Sequence, residues 1–181
     1  MNLETAVKNL TAHGFSVRVF RTAQDAANAI SQELSGKTVG FGGSVTLEQM
    51  QLFETLQKNN TVYWHWKQTP AQALENARSA QVYLTSANAV SETGEIVNID
   101  GTGNRVGAMC YGPGTVYVLI GRNKIVSGGY AQAVKRIKEI ACPQNARRQH
   151  LHSPCAETGH CNPARCEESM CRVTVAFDHA P

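Results

Sequence analysis

Apolar positions in the first part of the chain alternate between helical and strand spacing. Residues 3–12 carry apolar side chains at intervals of three or four, which predicts a helix. Alternation over 16–20 predicts a short strand, and Thr22 is placed to cap a second helix that runs to Leu34. An apolar strand over 38–43 then breaks into a glycine turn.

The same alternation continues through the middle of the chain. Helices are predicted over 45–59 and 69–80, and strands are predicted over 61–66 and 81–90. Strands that alternate with helices form a parallel sheet, because each helix crosses a face of the sheet to reach the next strand. The sequence therefore predicts an α/β fold, with a Rossmann-like parallel sheet flanked by helices.

The last third of the chain changes character near residue 142. Two β-rich segments and a helix precede that point, at 94–100, 115–121 and 129–141. From Cys142 to Met170 the chain is rich in Cys, His, Pro and Arg without an apolar period, whereas 172–177 alternates like a strand. We therefore predict an α/β domain over 1–141 and an irregular cysteine-rich tail over 142–181 that ends in an edge strand.

Composition and charge narrow the class of protein. The 181 residues are 42% hydrophobic, enough for one domain-sized core. The 17 basic and 14 acidic residues form no basic run, so nucleic-acid binding is not expected. The amphipathic N-terminal segment resembles neither a signal peptide nor a membrane span, which predicts a cytoplasmic protein. Thiols stay reduced there, so the six cysteines favour metal binding over disulfides.

The glycine turn after the 38–43 strand is the first candidate binding site. Gly42 and Gly43 allow a close approach of the backbone, and the following helix offers unpaired N–H groups to an anion. Ser44 and Thr46 lie at the start of that helix. The spacing matches neither a Walker loop nor a dinucleotide fingerprint, so ATP and NAD are not expected. The alternatives are a phosphate or carboxylate site and a tight turn with a serine cap.

A dense set of polar side chains follows the strand that ends near Thr85. Glu92 and Glu95 are candidate catalytic acids or bases, and Arg105 or Lys124 is a candidate for holding an anionic substrate. The other candidate ligand-binding side chains in this segment are Asn88, Asn98, Asp100 and Asn104. In the alternative interpretation the Asn and Asp residues only form turns, and Glu92 is a solvated surface charge.

Three segments of the chain resemble the LUD domain family, which includes lactate utilization proteins. They are GFGGSVTL, TSANAVSETGEIVNIDGTGNRVGAMCYGP and LIGRNKIV, and the resemblance runs from about Gly36 to the end. It implies the fold of the superfamily of ribose-phosphate isomerase, glucosamine-phosphate deaminase and CoA-transferase. It also implies a role beside iron–sulfur subunits in oxidising L-lactate to pyruvate. Carried over to this chain, the superfamily's anion-binding loop matches Gly42, Ser44 and Thr46, and its second polar loop matches Asn88, Glu92 and Asn98.

Four closely spaced cysteines in the tail are the candidate metal ligands: Cys155, Cys161, Cys166 and Cys171. Neighbouring thiolates repel unless a cation binds them, and four sulfurs suit a tetrahedral zinc or a [4Fe-4S] cluster. The family often ends in a PC-x-x-TG-x-C-x-x-C element, but Cys166 lies two places later than its third cysteine. Cys142 or His160 is therefore an alternative fourth ligand. An iron–sulfur cluster is the predicted cofactor, with zinc or unligated cysteines as the alternatives.

Two function hypotheses from different classes follow, and a third remains open. In the first, the chain is a component of lactate utilization that binds a small carboxylate or phosphate and an iron–sulfur cluster. A single cluster cannot accept two electrons at once, so iron–sulfur partner subunits or a homo-oligomer are expected. In the second, it is an isomerase or transferase-like enzyme acting on a sugar phosphate or CoA ester, with a structural zinc. In the third, it is a non-catalytic assembly subunit whose tail docks a partner.

Overall fold

The computed structural model describes residues 2–181 and contains nine α-helices and eight strands within them. The helices are α1 (Leu3–Ala12), α2 (Ala23–Glu33), α3 (Val45–Gln49), α4 (Leu52–Leu56), α5 (Pro70–Arg78), α6 (Asn104–Cys110), α7 (Tyr130–Arg136), α8 (Cys142–Arg148) and α9 (Pro154–Thr158). The strands are β1 (Thr38–Phe41), β2 (Thr61–Trp64), β3 (Val82–Thr85), β4 (Ala89–Ser91), β5 (Ile96–Asp100), β6 (Thr115–Val118), β7 (Ile125–Val126) and β8 (Val173–Phe177). A π-helical turn, Ile137–Ala141, joins α7 to α8.

The chain divides into two compact units, each made of segments that are separate in sequence. We call one the α/β unit; it comprises Arg18–Ser86 and Asn104–Gly121. We call the other the mixed-sheet unit; it comprises the described residues up to Val17, Ala87–Gly103 and Arg122–Pro181. No helix among the described residues is long and apolar enough to cross a membrane.

The α/β unit contains a four-stranded parallel sheet in the order β2-β1-β3-β6, with helices between its strands along the chain. This confirms the predicted α/β fold. Its fully buried side chains include Val39, Phe41, Leu47, Leu52, Leu56, Trp64 and Leu84. A side chain at Gly40 on β1 would begin 2.6 Å from the Ala77 carbonyl oxygen on α5. Only glycine therefore permits this approach of helix to sheet.

Local sequence signals in the α/β unit are confirmed at its helix starts. Thr22 accepts a hydrogen bond from the Asp25 backbone N–H, and Asp25 accepts one in return, which forms the capping box of α2. The helix predicted over 45–59 is instead broken into α3 and α4 at Gln51, whose φ is 51°. Leu47 and Leu52 are five residues apart, so a straight helix would point them in different directions. The break allows both to be fully buried.

The strand predicted over 16–20 is wrong. No strand pairs with this segment among the described residues, and its alternation reflects an extended chain at the surface. An extended segment becomes a strand only when a neighbour supplies hydrogen-bond partners, and local alternation does not specify that neighbour.

The mixed-sheet unit contains a second sheet, in the order β7-β4-β5-β8, that the sequence did not predict. β4 and β5 are antiparallel, β4 and β7 are parallel, and β5 and β8 are antiparallel. The strand predicted over 81–90 is two strands, β3 and β4, which belong to the different sheets. The strand predicted over 172–177 is present as β8, at the edge of the sheet beside β5.

The helical run after Gly129 continues past the boundary predicted at residue 141. It extends through the π-helical turn into α8 and ends at Arg148, and the segment predicted as irregular also contains α9. Pro143 lies inside this helical run, where a proline lacks an N–H donor and clashes with the preceding turn. The π-helical turn lies immediately before it and relieves that conflict. Residues 142–181 belong to the same compact unit as residues 122–141.

Candidate metal centre and ligand loops

Five cysteines line one cavity of about 110 Å³ in the mixed-sheet unit, which we call the cysteine cavity. They are Cys142, Cys155, Cys161, Cys166 and Cys171. The structure therefore brings together all four cysteines of the candidate metal site and adds Cys142, which the sequence offered only as an alternative ligand. His160, the other alternative, does not line the cavity.

Short structural elements turn the tail around this cavity. Cys142 is the first residue of α8, and Cys155 lies in the first turn of α9. Gly159 ends α9 with a φ of 81°, a conformation that favours glycine and reverses the chain toward Cys161. Cys171 lies two residues before β8, which holds the end of the tail against β5. The cysteines are thus held by helix termini and a sheet edge, although the sequence between them has no apolar period.

A close pair of sulfurs lies at one side of the cavity. The Sγ atoms of Cys142 and Cys171 are 3.3 Å apart, and Cys142 is buried. This hydrogen bond lowers the pKa of Cys171 to about 6, against the opposing effect of burial and with help from the Lys138 ammonium group. The same pairing, together with burial, raises the pKa of Cys142. The direction of these two shifts favours the thiolate form of Cys171, the form that binds metals, and the protonated form of Cys142.

The volume of the cysteine cavity can be compared with the size of the group that its residues would bind. Among residues 2–181, no three Cys, His, Asp or Glu side chains are arranged as a ready-made single-ion site. A water molecule needs about 10–15 Å³ of such volume, so about 110 Å³ accommodates a group of several atoms. Thiolates surrounding a space of that size suit a four-iron cluster in both number and chemistry.

Two residues that sequence reasoning missed also line the cavity. Lys138 precedes Cys142 by four residues, and Glu168 accepts a hydrogen bond from the His152 backbone N–H at 2.7 Å. The i, i+4 spacing of Lys138 and Cys142 in a helical segment was the available signal, because it places both side chains on one face. The helix predicted over 129–141 ends between these two residues and therefore separates them.

The glycine loop of the α/β unit is explained first by packing. A side chain at Gly42 would begin 2.7 Å from the Thr85 Oγ1 atom, and one at Gly43 would begin 3.1 Å from the Trp66 ring. Ser44 is buried, and its Oγ accepts a hydrogen bond from the Leu47 backbone N–H at 3.3 Å, which caps α3. Thr46 lies half-buried in the first turn of α3.

One candidate cation lies beside this loop within the α/β unit. Arg105 on α6 is only 8% exposed, and its Cγ lies 3.2 Å from the point where a Gly42 side chain would begin. Its Nη1 donates a hydrogen bond to the Ser86 carbonyl oxygen at 3.5 Å. Asn104, the first residue of α6, is half-buried. The fold thus brings together Gly42 and Arg105, which the sequence proposed separately as ligand-binding residues.

Asn88 and Asn98 form a cross-strand network within the mixed-sheet unit. The Asn98 side-chain oxygen accepts from the Asn88 backbone N–H at 3.1 Å, and the Asn88 side-chain oxygen accepts from the Ile99 backbone N–H at 2.8 Å. The Arg136 guanidinium donates to the Asn88 carbonyl oxygen at 2.7 Å. These contacts hold β4 against β5, and they give both amides a structural function. The remaining candidates of this unit, Asp100 and Lys124, are half-buried.

The two candidate catalytic glutamates lie at the β4–β5 hairpin and are held by hydrogen bonds. The Asn2 backbone N–H and the Ser127 hydroxyl donate to Glu92, and these bonds lower the pKa of its carboxyl group. Burial raises the pKa of Glu95, but the Ser91 and Thr93 hydroxyls outweigh that effect and lower it. Both carboxylates are ionised at neutral pH, which makes them weak bases and unsuitable as acids.

Comparisons with known proteins bear on the whole chain. The family model described as the LUD domain matches residues 3–179, a range that covers the α/β unit, nearly all of the mixed-sheet unit and every tail cysteine. No curated protein and no solved structure matches the chain.

Proposed function

The chain belongs to the LUD domain family, a domain known from lactate utilization proteins, and from that premise we propose a specific redox function. In this proposal the cysteine cavity holds a [4Fe-4S] cluster and the glycine loop binds a small carboxylate or phosphate. The protein then acts in the oxidation of L-lactate to pyruvate, beside iron–sulfur partner subunits or a second copy of itself.

The observation that carries this proposal is the meeting of five thiols at one cavity of about 110 Å³. Cys155, Cys161, Cys166 and Cys171 supply the four sulfurs that the cluster requires. The lowered pKa of Cys171 prepares one of these ligands as a thiolate before metal arrives. The bound cluster would supply one-electron transfer, so the second electron of lactate oxidation would pass to a partner's centre.

The anion-binding part of the proposal rests on Arg105. A guanidinium group remains charged at any physiological pH and forms two parallel hydrogen bonds with a carboxylate. Its burial makes such a contact stronger than at the surface, because less water competes for the charge. Gly42 packs closely against Thr85 and Arg105, which brings the backbone of the glycine loop next to this side chain.

A second candidate function uses the two sulfurs that lie closest together in the cavity wall as ligands of a structural zinc. Two thiolates bound tetrahedrally at about 2.3 Å from one zinc ion lie roughly 3.8 Å apart, and Cys142 and Cys171 are 3.3 Å apart. The two sulfurs lie about 0.5 Å closer than that value, so a structural zinc, as in the isomerase or transferase-like alternative, would have to move them apart. That alternative needs Glu92 as a general base, however, and the lowered pKa of Glu92 makes it a poor one.

Anaerobic preparation and metal analysis test the two candidates against each other. We expect a brown protein with about four irons and four acid-labile sulfides per chain, as a [4Fe-4S] cluster requires. A colourless protein that retains stoichiometric zinc after the same reconstitution would contradict the cluster and support the alternative. Isothermal titration of L-lactate, pyruvate and inorganic phosphate into the same preparation tests the anion site.

A further inference from the structure

One serine of the cysteine cavity lies at the start of a helix without capping it. Ser153 directly precedes α9, lines the cavity and is only 3% exposed. A serine hydroxyl at this position normally accepts a hydrogen bond from a backbone N–H two or three residues on. The Ser44 hydroxyl does so at α3, whereas the Ser153 hydroxyl makes no capping bond. The Ala156 N–H is bonded to the Ser153 carbonyl oxygen instead, at 3.0 Å. The Ser153 hydroxyl is therefore available for another contact.

The Ser153 hydroxyl contacts the sulfur of a candidate cluster ligand. Its Oγ lies 3.5 Å from the Sγ atom of Cys155, which is 8% exposed. A buried hydroxyl group rarely lacks a hydrogen-bond partner, because leaving it unpaired costs its desolvation energy. In metal-free protein either atom can donate the proton. A cysteine that binds iron has lost its proton, so in the loaded protein the hydroxyl is the donor and the sulfur is the acceptor.

We propose that Ser153 is a positioning residue that donates a hydrogen bond to the ligand sulfur of Cys155 and thereby raises the reduction potential of the cluster. This inference rests on the proposed function, because it requires a cluster in the cavity with Cys155 among its ligands. One added electron increases the negative charge on the ligand sulfurs, and a hydrogen-bond donor stabilises the reduced form more than the oxidised form. Burial strengthens the contact, since little water competes for the sulfur.

The experiment is a redox titration of the anaerobically reconstituted full chain, with dithionite as the one-electron reductant. Ser153→Ala removes the donor and is expected to lower the equilibrium constant for reduction roughly tenfold, which equals about 59 mV for a one-electron couple. Ser153→Gly should give the same shift, and it retains a residue that is well tolerated at helix starts. Ser153→Thr keeps a hydroxyl and is expected to restore most of the potential. Iron content should equal that of the wild type in all three variants.

The matched control is Thr158→Ala. Thr158 also belongs to α9, but its hydroxyl donates to the Pro154 carbonyl oxygen at 2.7 Å rather than to a sulfur. This variant should leave the potential unchanged. An unshifted potential in Ser153→Ala and Ser153→Gly would overturn the inference. Loss of iron from both variants would overturn it as well, because the hydroxyl would then hold the site together rather than adjust its potential. A wild-type protein that takes up no iron would instead overturn the proposed function itself.

Discussion

The polar residues of the two compact units have different surroundings. In the α/β unit, the glycine loop and Ser44 are accounted for by close packing and a helix cap, which leaves Arg105 as the buried charge beside the loop. In the mixed-sheet unit, five thiols surround open space and form no disulfide. A motif that packing explains needs independent evidence of a ligand, whereas the cavity lined with thiols is itself the observation on which the proposed metal site rests.

Removing a cavity cysteine should give the largest effect. Cys155→Ala is expected to reduce bound iron at least tenfold after anaerobic reconstitution, because the cluster loses one of its four sulfur ligands. Cys110→Ala is the matched control, since Cys110 is exposed and belongs to the α/β unit. Iron content is measured by colorimetric assay. Equal iron in the two variants would contradict a metal site at the cysteine cavity.

A substitution in the α/β unit should affect stability rather than metal content. Gly40→Ala places a methyl group 2.6 Å from the Ala77 carbonyl oxygen, and overpacking of this kind costs about 3 kcal/mol. Gly107→Ala is the control, because a side chain there meets nothing within 4 Å and alanine stabilises a helix by roughly 0.5–1 kcal/mol. Urea unfolding of both variants measures the difference. A Gly40→Ala protein as stable as the wild type would contradict the close approach of α5 to β1.

Substitution of Arg105 tests whether the α/β unit binds a small carboxylate. Arg105→Lys keeps the charge but loses the two-point contact with a carboxylate, and it should weaken binding of L-lactate or pyruvate roughly tenfold, or about 1.4 kcal/mol. Arg78→Lys is the control, because Arg78 is exposed and pairs with Glu75 at the surface. Unchanged affinity by calorimetry would leave the glycine loop with a packing function alone.

The pH dependence of thiol alkylation tests whether Cys142 lowers the pKa of Cys171. In metal-free protein, alkylation of Cys171 should rise with pH around its pKa of about 6, because only the thiolate reacts. Cys142→Ala removes the donor that lowers this pKa, so the midpoint should move to higher pH. Peptide mass spectrometry after timed iodoacetamide treatment measures both curves. Identical midpoints in the two proteins would argue against the hydrogen bond.

Helix caps should give the smallest effects, one in each unit. Thr22→Ala removes the capping box of α2, and Asn2→Ala removes the side chain that caps α1. Each substitution should cost about 1 kcal/mol. Hydrogen exchange should show the loss of protection in the helix that was changed, α2 or α1. Loss of protection spread equally through both units would show that they unfold as one.

Signals that depend on neighbours in the sequence were sufficient for most elements of the α/β unit, apart from the break between α3 and α4 and the strand predicted over 16–20. The spacing of apolar residues predicted α2, β1 and the strands beside it, and Thr22 predicted a cap that the structure contains. These features form through contacts three or four residues apart, or through one buried face of a strand, so the local pattern specifies them. The crowding of cysteines near the C-terminus was also visible in the sequence.

The tertiary structure decided what depends on residues far apart in the chain. It divided 81–90 between two sheets, placed Cys142 against Cys171 and surrounded Glu92 with donors from Asn2 and Ser127. Strand partners and pKa values depend on which distant groups come within a few ångströms, and a one-dimensional pattern does not contain those distances. The amino-acid sequence alone therefore determined which thiols are available, and folding determined which of them meet.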